Sequence, residues 1–98
     1  MTREVNLLVN EQTIELDYFV QGFIDHTIAG MLESLEGVGT VDTADINIRG
    51  DNVNVTVNNN EVPLNPFVTR IIRNTVIGML SSLKGVSDIN TVRITTQR

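Results

Sequence analysis

Apolar and polar positions alternate along this chain in short runs that come in two matching sets. Val5, Leu7 and Val9 alternate with Asn6, Leu8 and Asn10, and Val53, Val55 and Val57 alternate with Asn54, Thr56 and Asn58. A period of two marks strands with one buried and one mostly polar face. Asn10-Glu11-Gln12 and Asn58-Asn59-Asn60 follow as turn-forming runs, because asparagine tolerates left-handed backbone and bonds its own main chain. Ile14 and Leu16, then Val62 and Leu64, point to the core from short second strands, so each set opens with a hairpin. Third strands close the sets: Ala44, Ile46 and Ile48 alternate with Asp45, Asn47 and Arg49, and Val92 and Ile94 mirror them.

Between second and third strands the period changes to that of a helix. Helices are predicted over 18–36 and 66–84, about 28 Å long at ~1.5 Å per residue. Asp17 and Asn65 are N-cap residues in this reading, with side chains that accept from otherwise unpaired amides. Pro66 fits the first helical position, where its missing N–H costs nothing. Gly37 and Gly85 stand where a left-handed residue stops a helix. Lys84 suits the negative end of the second helix dipole, whereas Glu36 opposes the first. Phe19, Val20, Phe23, Ile24, Ile28, Met31, Leu32 and Leu35 span an arc of roughly 220°, wider than the ~100° that one packing surface requires. Each helix should therefore be covered on a second side, by its sister helix or by another subunit. Thr27, Gly30 and Ser34 lie inside the arc, as do Thr75, Gly78 and Ser82. A helical glycine costs about 1 kcal/mol, so its recurrence in both sets predicts close approach of another backbone.

The matching extends to the residues themselves. Gly30-Met31-Leu32-x-Ser34-Leu35-x-Gly37-Val38 returns as Gly78-Met79-Leu80-x-Ser82-Leu83-x-Gly85-Val86, and Leu16-x-x-Phe19-Val20 as Leu64-x-x-Phe67-Val68. A repeat of about 48 residues that keeps core and turn positions while polar residues drift reports on architecture rather than chemistry. The reading is one domain over 1–98, built from repeats 1–50 and 51–98. Its expected class is α+β: a two-layer sandwich of tandem ββαβ units, with about six mainly antiparallel strands and two helices on one face. Arg49-Gly50-Asp51-Asn52 predicts a tight turn joining the third strand to the fourth; strand order stays open.

Asn60-Glu61-Val62-Pro63-Leu64-Asn65-Pro66-Phe67-Val68, followed by Ser81-Ser82-Leu83-Lys84-Gly85-Val86, resembles short uncharacterised prokaryotic proteins that hold one such unit. The likeness covers one unit and its motifs are structural, so it implies no activity. Where such single-unit proteins self-associate, this chain is similar to a fused pair of them. The first unit departs most, with Glu15, Tyr18 and Glu36 in place of Pro63, Pro66 and Lys84.

Composition narrows the function classes. The chain has 98 residues, 41% of them hydrophobic, and no cysteine, so neither a disulfide framework nor a thiolate metal site is available. No run of 18 apolar residues occurs, which excludes a helical membrane span. Residues 1–20 lack the pattern of a signal peptide, and a cytoplasmic protein is expected. The net charge of −5 is uneven. Residues 1–50 hold two arginines against nine acids, for −7; residues 51–98 hold five cations against three acids, for +2. Overall acidity argues against general affinity for phosphate backbones.

Candidate chemistry is sparse. His26 is the only histidine, and its neighbour Asp25 cannot orient it, since adjacent helix positions do not face each other. No nucleophile, base and orienting group come together, so no catalytic residue and no cofactor is expected. Asp42, Asp45, Asp51 and Asp88 lack the spacing of a calcium loop. Gly37-Val38-Gly39 follows a helix rather than a strand and reads as a helix stop. Arg49-Gly50-Asp51 and the sequon Asn54-Val55-Thr56 read as turn and strand. The polar sheet face should display Asn6, Asp45, Asn47, Asn54, Thr56, Asn58, Arg93 and Thr95 without the aromatics on which single-strand nucleic-acid binders stack bases. The outer helix faces should differ: Gln21, Asp25, Glu33 and Glu36 on the first, Thr69, Arg70, Arg73, Ile77 and Lys84 on the second.

Three functions follow in order. The first is a non-enzymatic protein-interaction or assembly module, by capture of a protein partner or by self-association, through Arg70, Arg73, Ile77 and Lys84. The second is a small-ligand module with a cleft at Thr27, Gly30, Thr75 and Gly78. The third is a weak nucleic-acid binder using Arg70, Arg73, Lys84, Arg93 and Arg98.

Overall fold

The computed structural model describes residues 4–97 and places in them β1 (Glu4–Val9), β2 (Gln12–Ile14), α1 (Tyr18–Glu33), β3 (Thr43–Arg49), β4 (Asn52–Val57), β5 (Asn60–Val62), α2 (Pro66–Leu80) and β6 (Thr91–Gln97). The fold is α+β, a two-layer sandwich of one six-stranded antiparallel sheet and two helices. Strand order is β2-β1-β6-β3-β4-β5. β3 and β4 form the hairpin expected at Gly50-Asp51, with Arg49 opposite Asn52 and Gly50 at φ 56°.

The last strand, β6, enters the sheet between β1 and β3. The registers are Leu7↔Ile94, Ile94↔Ile46 and Ile46↔Val55, so one apolar row crosses the four long strands on the face beneath the helices. Ile24, Ile28 and Leu32 of α1 and Ile72, Val76 and Leu80 of α2 pack on that face. Fully burying each such side chain contributes about 1.5–3 kcal/mol.

Both helices start as their sequences dictate. Asp17 and Asn65 cap through side-chain oxygens 2.8 Å from the amides of Val20 and Val68, and Pro66 opens α2. They end earlier than predicted. The Ser34 hydroxyl donates to the Gly30 carbonyl at 2.7 Å, competing with the helical ladder. The chain then continues in tighter turns, with the Leu35 amide on the Leu32 carbonyl and the Leu83 amide on the Leu80 carbonyl, each 3.0 Å. Gly37 and Gly85 reverse it at φ 83° and 84°.

The hairpin asparagines have a second job. Asn10 and Glu11 take φ 52° and 68°, and Asn58 and Asn59 take 50° and 66°, as a two-residue turn with both residues left-handed requires. From there Asn58 Oδ1 accepts from the amides of Asp42 and Thr43, while its Nδ2 donates to the Thr40 carbonyl. Asn10 does the same to Asn90, Thr91 and Asp88. Each repeat's turn thus clasps the loop entering the other repeat's last strand. Asn58 therefore belongs to this clasp and not to the open sheet face where its alternation placed it.

Candidate functional site

The helices are rotated relative to the sequence expectation. The buried side of α1 centres on Ile24, Ile28 and Leu32, which draws Asp25 inward to 8% exposure and turns Phe19 and Phe23 outward. On α2 the core face is Ile72, Val76 and Leu80, which brings Ile77 down against the core and leaves Phe67 and Ile71 outside. Two assignments are corrected: Asp25 is not on the outer face of α1, and Ile77 is not on the outer face of α2 but packs against the core. An arc of roughly 220° offers more apolar surface than one helix can seat on a sheet, and the sequence does not say which edge is left over.

What is left over is large. Tyr18, Phe19, Phe23 and Phe67 are the four aromatic residues of the chain, and they are 82%, 73%, 54% and 64% exposed. Ile71 joins them. Phe19 and Phe67 are repeat counterparts, as are Phe23 and Ile71. The Phe19 and Phe23 rings stand 6.2 Å apart, tilted by 43°, in the range of a favourable aromatic pair. His26 is exposed on the same helix, one turn on from Phe23.

A groove separates the helices. Its volume is about 480 Å³, and Phe19, Phe23 and Thr27 line it opposite Thr75, Met79 and Leu83. Thr27 and Thr75 are thus brought together as the ligand reading required. Gly30 and Gly78 are not: both are exposed, and a Cβ built on either meets nothing within 4 Å. Among the described residues outside their own helices no backbone comes that close, so the close approach of another backbone expected at these glycines is not made within the described part of this chain.

The cations are dispersed. Arg70 sits near the start of α2 and Lys84 beyond its end, both exposed. Arg73 is turned to the β3–β4 hairpin, donating from Nε to the Gly50 carbonyl at 2.6 Å and lying 3.8 Å from the Asp51 carboxylate. Arg93 lies on the open sheet face 2.9 Å from Asp45, whose hydrogen bond and then charge hold the guanidinium pKa above its ordinary value. Asn47 Nδ2 donates to the same carboxylate at 3.2 Å. Two of the proposed nucleic-acid contacts are thus engaged with acids, and Arg98 lies outside the described residues.

Asp25 and Arg73, Glu36 and Lys84, and Asp45 and Arg93 occupy equivalent repeat positions with opposite charges. Asp45 and Arg93 meet in space, at 2.9 Å. Among the described residues no group of three acids or histidines is placed to hold a metal, and no helix is long and apolar enough to cross a membrane. No known family, curated protein or solved structure matches the chain.

Proposed function

We propose that the chain is a cytoplasmic, non-enzymatic interaction module that works through the outer face of its helical layer. One observation carries the reading: all four aromatic residues, three of them phenylalanines of the helical layer, are exposed and none is in the core. Aromatics contribute the largest apolar areas per side chain and dominate interface energetics, and contiguous exposed apolar surface marks interaction sites. Among the described residues the sheet exposes no large hydrophobic side chain of this kind. Its edges, β2 and β5, are three residues each, too short to template pairing with another chain.

A photocrosslinking residue placed in turn at Phe67 and at Asn54 tests this in the host cell. Discrete protein adducts are expected from Phe67 on the helical face and none from Asn54 on the sheet face. Equal yields from both positions, or none from either, would refute the proposal.

The groove favours a second reading, a small-ligand module. A volume of about 480 Å³ suits a small organic molecule, and the hydroxyls of Thr27, Thr75 and Ser82 are its polar groups. Native mass spectrometry of gently purified protein separates the two readings. A stoichiometric added small-molecule mass supports the ligand module, and a defined protein complex without one supports the interaction module.

A further inference from the structure

We infer that the partner covering the helical face is a second copy of this chain, stacked helices on helices so that α1 of each copy lies over α2 of the other. The inference rests on the reading of that face as the working surface, and it adds the occupant and its orientation.

Shape gives the first argument. The molecule is a slab of 36 × 33 × 18 Å, and its broad helical face can supply the ~800 Å² per partner that a standard interface buries. The exposed side chains on it occur twice at equivalent positions, Phe19 with Phe67 and Phe23 with Ile71. A surface built from two such sets suits a closed twofold contact, in which the same patch serves both copies. The open space at Gly30 and Gly78 has no use within one chain. In a stack it admits the protruding side chains of the opposite copy.

Charge fixes the orientation. Phe19 and Phe23, from the start of α1, line the groove with Met79 and Leu83, from the end of α2 and the turn after it. The helices therefore run side by side in opposite directions. Two twofold stackings keep helices aligned. One lays α1 antiparallel on α1 of the other copy, setting Asp17 at the level of Glu36, and Arg70 at the level of Lys84. Both are like-charge pairings. The other lays α1 antiparallel on α2, bringing Asp17 to the Lys84 end of the pair and Glu36, just past α1, to the Arg70 end. All four side chains belong to exposed residues. Like-charge juxtaposition is selected against and opposite charges set register, so the crossed stacking follows. It places Phe23 of one copy at the level of Gly78 of the other, and Ile71 at that of Gly30.

Sedimentation equilibrium of the purified chain across micromolar concentrations is the test, with Phe23→Ser, Arg70→Glu, Glu36→Arg and the last two combined. The expected result is a reversible dimer. Phe23→Ser should raise its Kd by about 100-fold or more. Arg70→Glu and Glu36→Arg should each raise it by about tenfold, and their combination should recover most of that loss. All of these positions are exposed, so unchanged thermal unfolding at concentrations where the wild type is monomeric verifies that the fold survives. A monomer at every concentration overturns the inference, as does a dimer indifferent to Phe23→Ser. A dimer that weakens with both charge variants yet gains nothing from their combination overturns the crossed orientation. Helical-face crosslinks in the cell from a chain that is monomeric when pure would leave the interaction surface standing with a different occupant; absence of crosslinks would remove both.

Discussion

Ile46 lies directly opposite Ile94 across the β3–β6 ladder, and each is the other's counterpart in the repeat. The equivalence extends outward, because Leu7 flanks Ile94 as Val55 flanks Ile46. The registers on the two sides of the β3–β6 pair therefore match, and the two halves of the chain are interleaved in the sheet rather than set side by side. Both neighbours of β3 come from the second repeat, and β6 pairs only with strands of the first.

Interleaving predicts how the halves behave when separated. Fragment 1–50 alone keeps the short β1–β2 hairpin but loses both partners of β3, and isolated hairpins are marginal in water. Each fragment should be largely unfolded, and mixing should restore the native circular dichroism at 1:1 stoichiometry. Pairing of unlike fragments should win over pairing of like ones, since the Asp45–Arg93 contact would become Asp against Asp or Arg against Arg. A folded fragment 1–50 on its own would contradict the interleaved topology.

The cross-repeat clasps predict an asymmetric cost for a small change. Asn58 places three hydrogen bonds on the 40–43 loop and holds a left-handed turn position. Asn58→Ala should lower stability by about 2–3 kcal/mol, the sum of those partly exposed bonds and the strain of alanine at positive φ. Asn58→Gly keeps the turn and loses the clasp, so it should cost less, about 1–2 kcal/mol. Urea denaturation of the three proteins measures both; equal losses for Ala and Gly would mean that the turn conformation is not part of the cost.

These residues show how far the sequence could be read. Asn10 and Asn58 announce turns because turn chemistry is local, but their acceptors and donors lie in the other repeat and leave no trace nearby. Ile46 and Ile94 declare a strand period and a buried face; nothing local says that β6 enters between β1 and β3. The helix caps at Asp17 and Asn65 are legible for the same reason as the turns. Phe19 and Phe23 mark the opposite case. Their apolarity puts them in an arc too wide for one packing surface, and only the seating of Ile24, Ile28 and Leu32 on the sheet decides that they are the part left outside. Gly30 and Gly78 are legible as costly helix positions, but that the space they open faces outward is not.

Glu11 carries strain that its counterpart avoids. It sits at φ 68° in the β1–β2 turn, where the second repeat has Asn59 at 66°. A left-handed conformation costs a residue with a side chain roughly 1–2 kcal/mol, and asparagine and glycine less. Glu11→Gly should therefore stabilise the chain by about 1 kcal/mol, raising Tm by about 4–8 °C. Asn59→Gly should change it by only about a few tenths of a kcal/mol. Differential scanning calorimetry decides between this and an unstrained Glu11, for which the two variants would match.

The helix glycines tie stability to assembly, in opposite directions. At Gly30 and Gly78 a Cβ meets nothing within 4 Å and neither residue has positive φ, so nothing in the monomer requires glycine. Gly78→Ala should stabilise the monomer by about 1 kcal/mol, the ordinary gain of alanine over glycine in a helix. Gly78→Leu keeps most of the helix-propensity gain and fills the space that a facing Phe23 would use, so it should also unfold later than the wild type at low concentration. At concentrations where the wild type associates, the leucine variant should remain monomeric. Thermal unfolding and sedimentation on the same samples read the two effects separately. Loss of stability in both variants would show that these glycines serve packing within the chain, and the open face would then lose its explanation.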